Sequence, residues 1–151
     1  DIQSGYNYVD AQALDLIRRP WDFDVLVMEN MFADILSDLG GGLVGGMGMA
    51  PCAEIGLEHA LFQPAHGSAP DIMGKDQANP TAMFLSAAMM LDWLGQRHRN
   101  SSLLKAGNLL ESAVEEGFRS RRIHPKEFGG RHGCSKHTQI LKEIIDEVKT
   151  D

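Results

Sequence analysis

Two carboxylates, Asp34 and Asp38, stand four residues apart in a segment whose apolar residues recur at helical spacing. Four residues turn an α-helix by roughly 400°, so both side chains would leave one face about 40° apart and at neighbouring height. Like charges so placed repel by about a few tenths of a kcal/mol unless a cation offsets them. A divalent ion such as Mg²⁺ or Mn²⁺ takes hard oxygen ligands, commonly one or two carboxylates completed by water and substrate oxygens. On spacing alone a solvated acidic face is the simpler reading.

A second constellation is His66-Gly67-Ser68-Ala69-Pro70-Asp71-Ile72, which joins a permissive glycine, a hydroxyl, a rigid proline and a carboxylate ahead of a strongly apolar segment. That mixture suits a ligand-binding loop, in which a carboxylate such as Asp71 accepts both hydroxyls of a ribose and repels a 2′-phosphate. Composition alone fits a polar surface loop better. Three other patterns carry less. Gly40, Gly42 and Gly45 match G-x-G-x-x-G, but a helix rather than a strand precedes them, so no phosphate would meet a helix N-terminus. His132-x-Cys134-x-x-His137 lacks a fourth metal ligand. Asn100-Ser101-Ser102 matches a glycosylation acceptor without a secretory signal to give it meaning.

The elements that must position these groups follow from periodicity and punctuation. A helix is predicted over Tyr6 to Arg18, ended by Pro20. A strand is predicted over Phe23 to Met28, apolar enough to be buried on both faces as parallel strands are. A second helix runs from Met31 to Leu39, with Gly40-Gly41-Gly42 ending it. The glycine-rich stretch to Pro51 reads as a hinge and the main boundary. Ala60-Leu61-Phe62 reads as a short strand, and Gln63 to Ala78 as a long loop of the kind that is usually functional. Asn79 caps, and Pro80 opens, an apolar helix through Met83 to Leu94. Further helices are predicted over Leu103 to Phe118 and Gln139 to Val148.

The 151 residues are 43% apolar and 23% charged, with a net charge of −7. A chain of this length can bury an ordinary hydrophobic core without disulfides or a structural metal. The acidic balance argues against nucleic acid as the main partner, since phosphate binding rests on clustered Lys and Arg. No window approaches the ~20 apolar residues of a membrane span. Two distant cysteines, Cys52 and Cys134, point to free thiols in a reducing compartment, and hence to the cytoplasm.

Taken together, Phe23-Asp24-Val25-Leu26-Val27-Met28-Glu29-Asn30-Met31-Phe32-Ala33-Asp34-Ile35-Leu36-Ser37-Asp38-Leu39, the glycine-rich stretch, and HGSAPDIMGKDQANPTAMFLSAAMML from His66 to Leu91 resemble the metal-dependent β-decarboxylating dehydrogenases. That family includes isocitrate, isopropylmalate, homoisocitrate and tartrate dehydrogenases. The resemblance is close from Tyr8 to about Leu94 and looser beyond. It implies an α/β fold, with helices packed on a mixed sheet, of which this chain is the C-terminal part and incomplete on its own. Residues 1–46 would be part of the small substrate and dimerisation domain, and residues 47–151 the C-terminal part of the cofactor domain.

The resemblance also implies roles. Asp34 and Asp38 occupy the family's metal-ligand positions, Tyr8-Val9-Asp10 matches the motif that supplies a third carboxylate from a neighbouring subunit, and the metal is Mg²⁺ or Mn²⁺. These three aspartates are the candidate catalytic residues. His66, Gly67, Ser68, Ala69, Pro70, Asp71, Ile72 and Asn79 match the adenosine-binding segment, and Asp71-Ile72 follows the NAD-using pattern. The implied reaction is NAD-dependent oxidative decarboxylation of a malate-type 2-hydroxy acid, with 3-isopropylmalate favoured over tartrate, malate or isocitrate, in a homodimer that shares its metal site. The family's catalytic lysine, tyrosine and substrate-clamping arginines have no counterpart here, so a C-terminal portion inactive alone is expected. The alternative is a non-catalytic nucleotide-binding or regulatory subunit. Gly129-Gly130-Arg131-His132-Gly133-Cys134-Ser135 departs from the family's usual small, Thr-rich segment.

Overall fold

The computed structural model describes residues 2–148. The chain divides into two compact units, Asp1–Gly46 and Met47–Asp151.

The first unit holds two helices, α1 (Val9–Arg18) and α2 (Asn30–Leu43), packed against each other, with a short 3₁₀ turn at Pro20–Asp22 after α1. The helix predicted from Tyr6 begins three residues later. Asn7 uses its side chain locally, accepting from the Tyr8 N–H at 3.0 Å and donating to Gln12 at 3.2 Å, while Tyr8 itself is extended. α2 does not stop at Gly40. It runs through the three glycines to Leu43, with Gly41 buried, and ends where Gly45 and Gly46 take φ of 117° and 118°, backbone that L side chains rarely adopt.

The strand predicted over Phe23 to Met28 is not formed. The segment is irregular, and Val25 and Val27 are 79% and 91% exposed. A buried parallel strand exists only between paired neighbours. Among the described residues the sole sheet is a two-stranded hairpin in the second unit, so this apolar run has no ladder to join.

In the second unit, β1 (Pro51–Ile55) and β2 (Ala60–Pro64) pair antiparallel, with Pro51 opposite Pro64 and Ile55 opposite Ala60. Their turn closes through Gly56 N–H donating to the His59 carbonyl at 2.9 Å. α3 (Thr81–Arg97) packs on the hairpin and on α4 (Ser101–Arg119), and α4 packs on α5 (Cys134–Val148). Phe62 of β2 meets Trp93 of α3 with ring centroids 6.0 Å apart, and Arg97 lies over the Trp93 ring while donating to the Leu57 carbonyl in the hairpin turn. α3 and α4 approach closely at Gly107, where a Cβ would stand 3.0 Å from the Ala88 carbonyl oxygen.

The core gathers where α4 and α5 meet: Ala113 and Val114, Ile123 from the turn between them, and Ile140, Leu141 and Ile144, with Phe84, Leu85, Phe118 and Ile145 packed around. On α5 the residues at 137, 140, 141 and 144 form one buried stripe at helical spacing, so His137 occupies a core position. Arg122 closes the outside by donating to Glu147 at 2.7 Å and Glu143 at 3.3 Å, and its guanidinium holds the Glu147 carboxyl below the usual carboxylate range. No helix among the described residues is long and apolar enough to cross a membrane.

Candidate functional site

The long segment leaving β2 does not wander. Ala65 N–H donates to the Ala50 carbonyl at 3.0 Å, which carries the hairpin pairing one residue further and fixes where the loop departs. The chain then turns at Ala69, whose φ of 44° and ψ of 64° are left-handed, into a 3₁₀ turn over Pro70–Ile72 that opens with the proline. A left-handed alanine is strained backbone, which persists only where its surroundings hold it and which clusters at binding sites. Gly74 and Asp76 are left-handed as well, with φ of 73° and 49°.

At the far end Asn79 is buried and fully engaged. Its side-chain oxygen accepts from the Thr81 N–H at 3.2 Å and from the Thr81 hydroxyl at 2.6 Å, and its amide nitrogen donates to Glu127 Oε2 at 2.8 Å. The expected cap of α3 is therefore made by Asn79, with Pro80 next in line, although regular helix begins at Thr81.

These segments enclose a cleft of about 470 Å³ lined by Gly48, His66, Gly67, Ala69, Ile72, Gln77, Ala78, Asn79, Lys126 and Glu127. Five of the eight residues read from the sequence as cofactor-binding line it: His66, Gly67, Ala69, Ile72 and Asn79. Ser68, Pro70 and Asp71 stand exposed in the same loop without lining the cleft. His66 Nδ1 lies 2.7 Å from the Gly67 carbonyl, a hydrogen bond when that nitrogen carries the proton.

Sequence reasoning missed Gly48, Gln77, Ala78, Lys126 and Glu127. Glu127 closes the cleft by accepting from Asn79 and, at 3.4 Å, from the Gly48 N–H, and a Cβ on Gly48 would collide with its carboxylate. A contact between residues 48 positions apart leaves no local spacing to read.

The aspartates lie in the first unit. Asp34 and Asp38 are exposed on α2, and Asp34 accepts from the Asn30 side-chain amide at 3.2 Å. Asp10 is exposed in the first turn of α1. Among the described residues no three His, Cys, Asp or Glu side chains gather as a metal-holding group, so one chain does not bring Asp10 to Asp34 and Asp38. His132, Cys134 and His137 form no such group either. His137 is fully buried between the Phe84 and Phe118 rings while Cys134 is exposed.

Residues 1–148 match the family model described as isocitrate/isopropylmalate dehydrogenase. An isocitrate/homoisocitrate dehydrogenase from Thermus thermophilus is 56% identical over 140 residues, 93% of this chain and 40% of that protein. A 3-isopropylmalate/3-methylmalate dehydrogenase from Methanocaldococcus jannaschii is 51% identical over 147 residues, 97% of this chain and 42% of that protein. The crystal structure of isocitrate dehydrogenase from Methylococcus capsulatus superposes with a TM-score of 0.81 at 40% identity, covering 91% of this chain and 39% of that one. The chain thus spans about two fifths of the length of these relatives. A family model that spans nearly the whole chain, relatives more than half identical to it and a shared α/β framework leave one assignment: the chain belongs to the isocitrate/isopropylmalate dehydrogenase family.

Proposed function

We propose that this chain supplies the adenosine-binding cleft and the metal-ligating helix of an NAD-dependent oxidative decarboxylase of a malate-type 2-hydroxy acid. The observation that carries the reading is the cleft itself: five residues chosen from the sequence as nucleotide contacts line one cavity, beneath a left-handed turn at Ala69. Its volume, about 470 Å³, falls in the range of small-molecule sites. The apolar wall of Ala69, Ile72 and Ala78, held in place by the engaged Asn79, suits the face of a purine. The exposed Asp71 suits the ribose hydroxyls and disfavours a 2′-phosphate, which favours NAD over NADP.

The donor set on α2 fits a hard divalent cation. Asp34 and Asp38 would hold Mg²⁺ or Mn²⁺ together with Asp10 of a second copy, the ion supplying Lewis acidity at the substrate oxygen when bound. A second copy also accounts for the apolar surface of the first unit, where Leu14, Ile17, Met31 and Ile35 each expose more than half of their surface. In the reaction, hydride leaves C2 of the hydroxy acid for the nicotinamide, the hydroxyl proton passes to a base, the C3 carboxylate departs as CO₂ leaving its electron pair in an enolate, and an acid returns a proton to C3. Among substrates 3-isopropylmalate is favoured, with isocitrate, tartrate or malate next. Two unbridged thiols, Cys52 and Cys134, suit a cytoplasmic setting.

Titration with NAD, NADP and Mn²⁺ tests this reading. The chain binds NAD more tightly than NADP, Asp71→Lys reverses the preference, and Asp38→Asn weakens Mn²⁺ binding by about tenfold or more, as loss of a charged ligand demands. An unchanged NAD-to-NADP ratio removes Asp71 from the site. NAD binding with no response to Mn²⁺ would favour a non-catalytic nucleotide-binding subunit.

A further inference from the structure

The loop that lines the cleft is fastened from outside the cleft. Asp76, three residues before the capping Asn79, does not line the cavity. Its side-chain Oδ1 accepts from the Ser135 N–H at 2.8 Å, across 59 residues, and its carbonyl accepts from Lys126 Nζ at 3.5 Å. Ser135 is the second residue of α5, and the first N–H groups of a helix have no partner within it. Asp76 therefore caps α5 with a residue borrowed from the loop. Its left-handed φ of 49° aims the carboxylate there, a conformation that Asp and Asn tolerate better than most residues. The seating is close: a Cβ on Gly133 would run into the Asp76 carbonyl. Gly133 and Ser135, at the start of α5, are thus the surface on which this part of the loop rests.

The two fastenings serve different ends of one short run. Asn79 is tied to Glu127, and Asp76 to Ser135 and Lys126, so Gln77, Ala78 and Asn79, three of the cleft's lining residues, are suspended between fixed points. We propose that Asp76 is a positioning residue for nucleotide binding, latching the exit of the cleft loop to the first turn of α5 so that the binding wall is set before ligand arrives. This rests on the reading of the cleft as a nucleotide site. A wall ordered in advance spares the ligand the entropy of ordering it, so losing the latch appears as weaker binding.

The test is calorimetric titration of the full chain with NAD. Asp76→Gly keeps the left-handed backbone and removes the carboxylate, and is expected to raise the Kd about fivefold, the equivalent of one lost helix cap. Asp76→Asn retains an acceptor oxygen and is expected to restore the wild-type Kd. Ser135→Pro, tolerated in a first helical turn, removes the donor and sets its ring carbon against the Asp76 carboxylate, so it breaks the latch from the α5 side and is expected to reproduce the Asp76→Gly loss. Arg122→Ala, which breaks the ion pairs closing α5 elsewhere, is expected to lower Tm and leave the Kd unchanged, separating positioning from general stability. Wild-type binding together with an unaltered Kd in both Asp76→Gly and Ser135→Pro overturns the latch alone. Failure of the wild-type chain to bind NAD overturns the nucleotide reading and the latch with it.

Discussion

Among the described residues, and leaving proline and glycine aside, the second unit buries nine apolar side chains and the first buries one, Leu36. The helix starts differ in the same sense. Asn100 accepts from two N–H groups at the start of α4 and Asn79 accepts from the Thr81 N–H at the start of α3, whereas α1 and α2 follow Tyr8 and Glu29 without a side-chain cap. The second unit closes its own core and helix ends. The first leaves apolar faces exposed and two helix starts without a side-chain cap, and that exposed surface is where we propose that a second copy sits.

Core truncation gives the largest expected contrast. Leu141 is 2% exposed at the centre of the α4–α5 cluster, and Leu141→Ala is expected to destabilise the second unit by about 2–5 kcal/mol through lost burial and the cavity left behind. Ile35→Ala, on the exposed face of α2, is expected to shift the intrinsic stability of the chain by less than about 0.5 kcal/mol while weakening self-association. Urea unfolding with sedimentation analysis reads both. If Ile35→Ala unfolds the chain as severely and leaves self-association untouched, the exposed face is not a pairing surface.

A pH titration sharpens the comparison next. His137 is wholly buried between Phe84 and Phe118, neither ring nitrogen has a hydrogen-bond partner, and burial, with a smaller contribution from the charge of His132, pushes its pKa down to about 4. An unfolded histidine titrates near 6.5. Between these values the unfolded chain binds the extra proton, so stability is complete above pH ~6.5 and is lost as pH falls toward 4. The Tm of the second unit is expected to drop by more than about 4 °C between pH 7 and pH 5. His137→Leu, of similar volume and without the unpaired nitrogens, is expected to flatten that slope and to stabilise by about 1 kcal/mol. The first unit contains no histidine and is expected to show no such slope. A parallel loss in His137→Leu would assign the slope to carboxylates instead.

What could be read beforehand divides along the same line. Helices were legible wherever the apolar stripe and a local stop signal coincide, as in α1, α3 and α4, and the loop from His66 to Ile72 was legible because its residues are contiguous. β1 was missed because Pro51, Cys52 and Glu54 weaken its strand character, although proline is tolerated at a strand's first position. The first turn of α5 was missed because its cap, Asp76, comes from 59 residues away. Phe23 to Met28 has strand composition but no partner strand among the described residues, and composition cannot say whether a partner exists. Asn100 drew notice only through a glycosylation pattern that no secretory signal supports, though its oxygen accepts from the Ser102 and Leu103 N–H groups at 3.0 and 3.4 Å.

That cap supplies the smallest and most symmetrical test. Asn100→Ala leaves two N–H groups of α4 without their acceptor and is expected to cost about 1 kcal/mol, with increased hydrogen exchange confined to the first turn of α4. Glu29 stands at the corresponding place on α2 with extended backbone, φ −64° and ψ 152°, a geometry an N-cap asparagine also adopts. Glu29→Asn is therefore expected to add what Asn100→Ala removes, about 1 kcal/mol, and to slow exchange at the start of α2. If the gain appears, the open helix end is an ordinary local deficit. If the cap forms and protection does not follow, α2 is limited by its uncovered apolar face rather than by its terminus, and only a covering surface will order it.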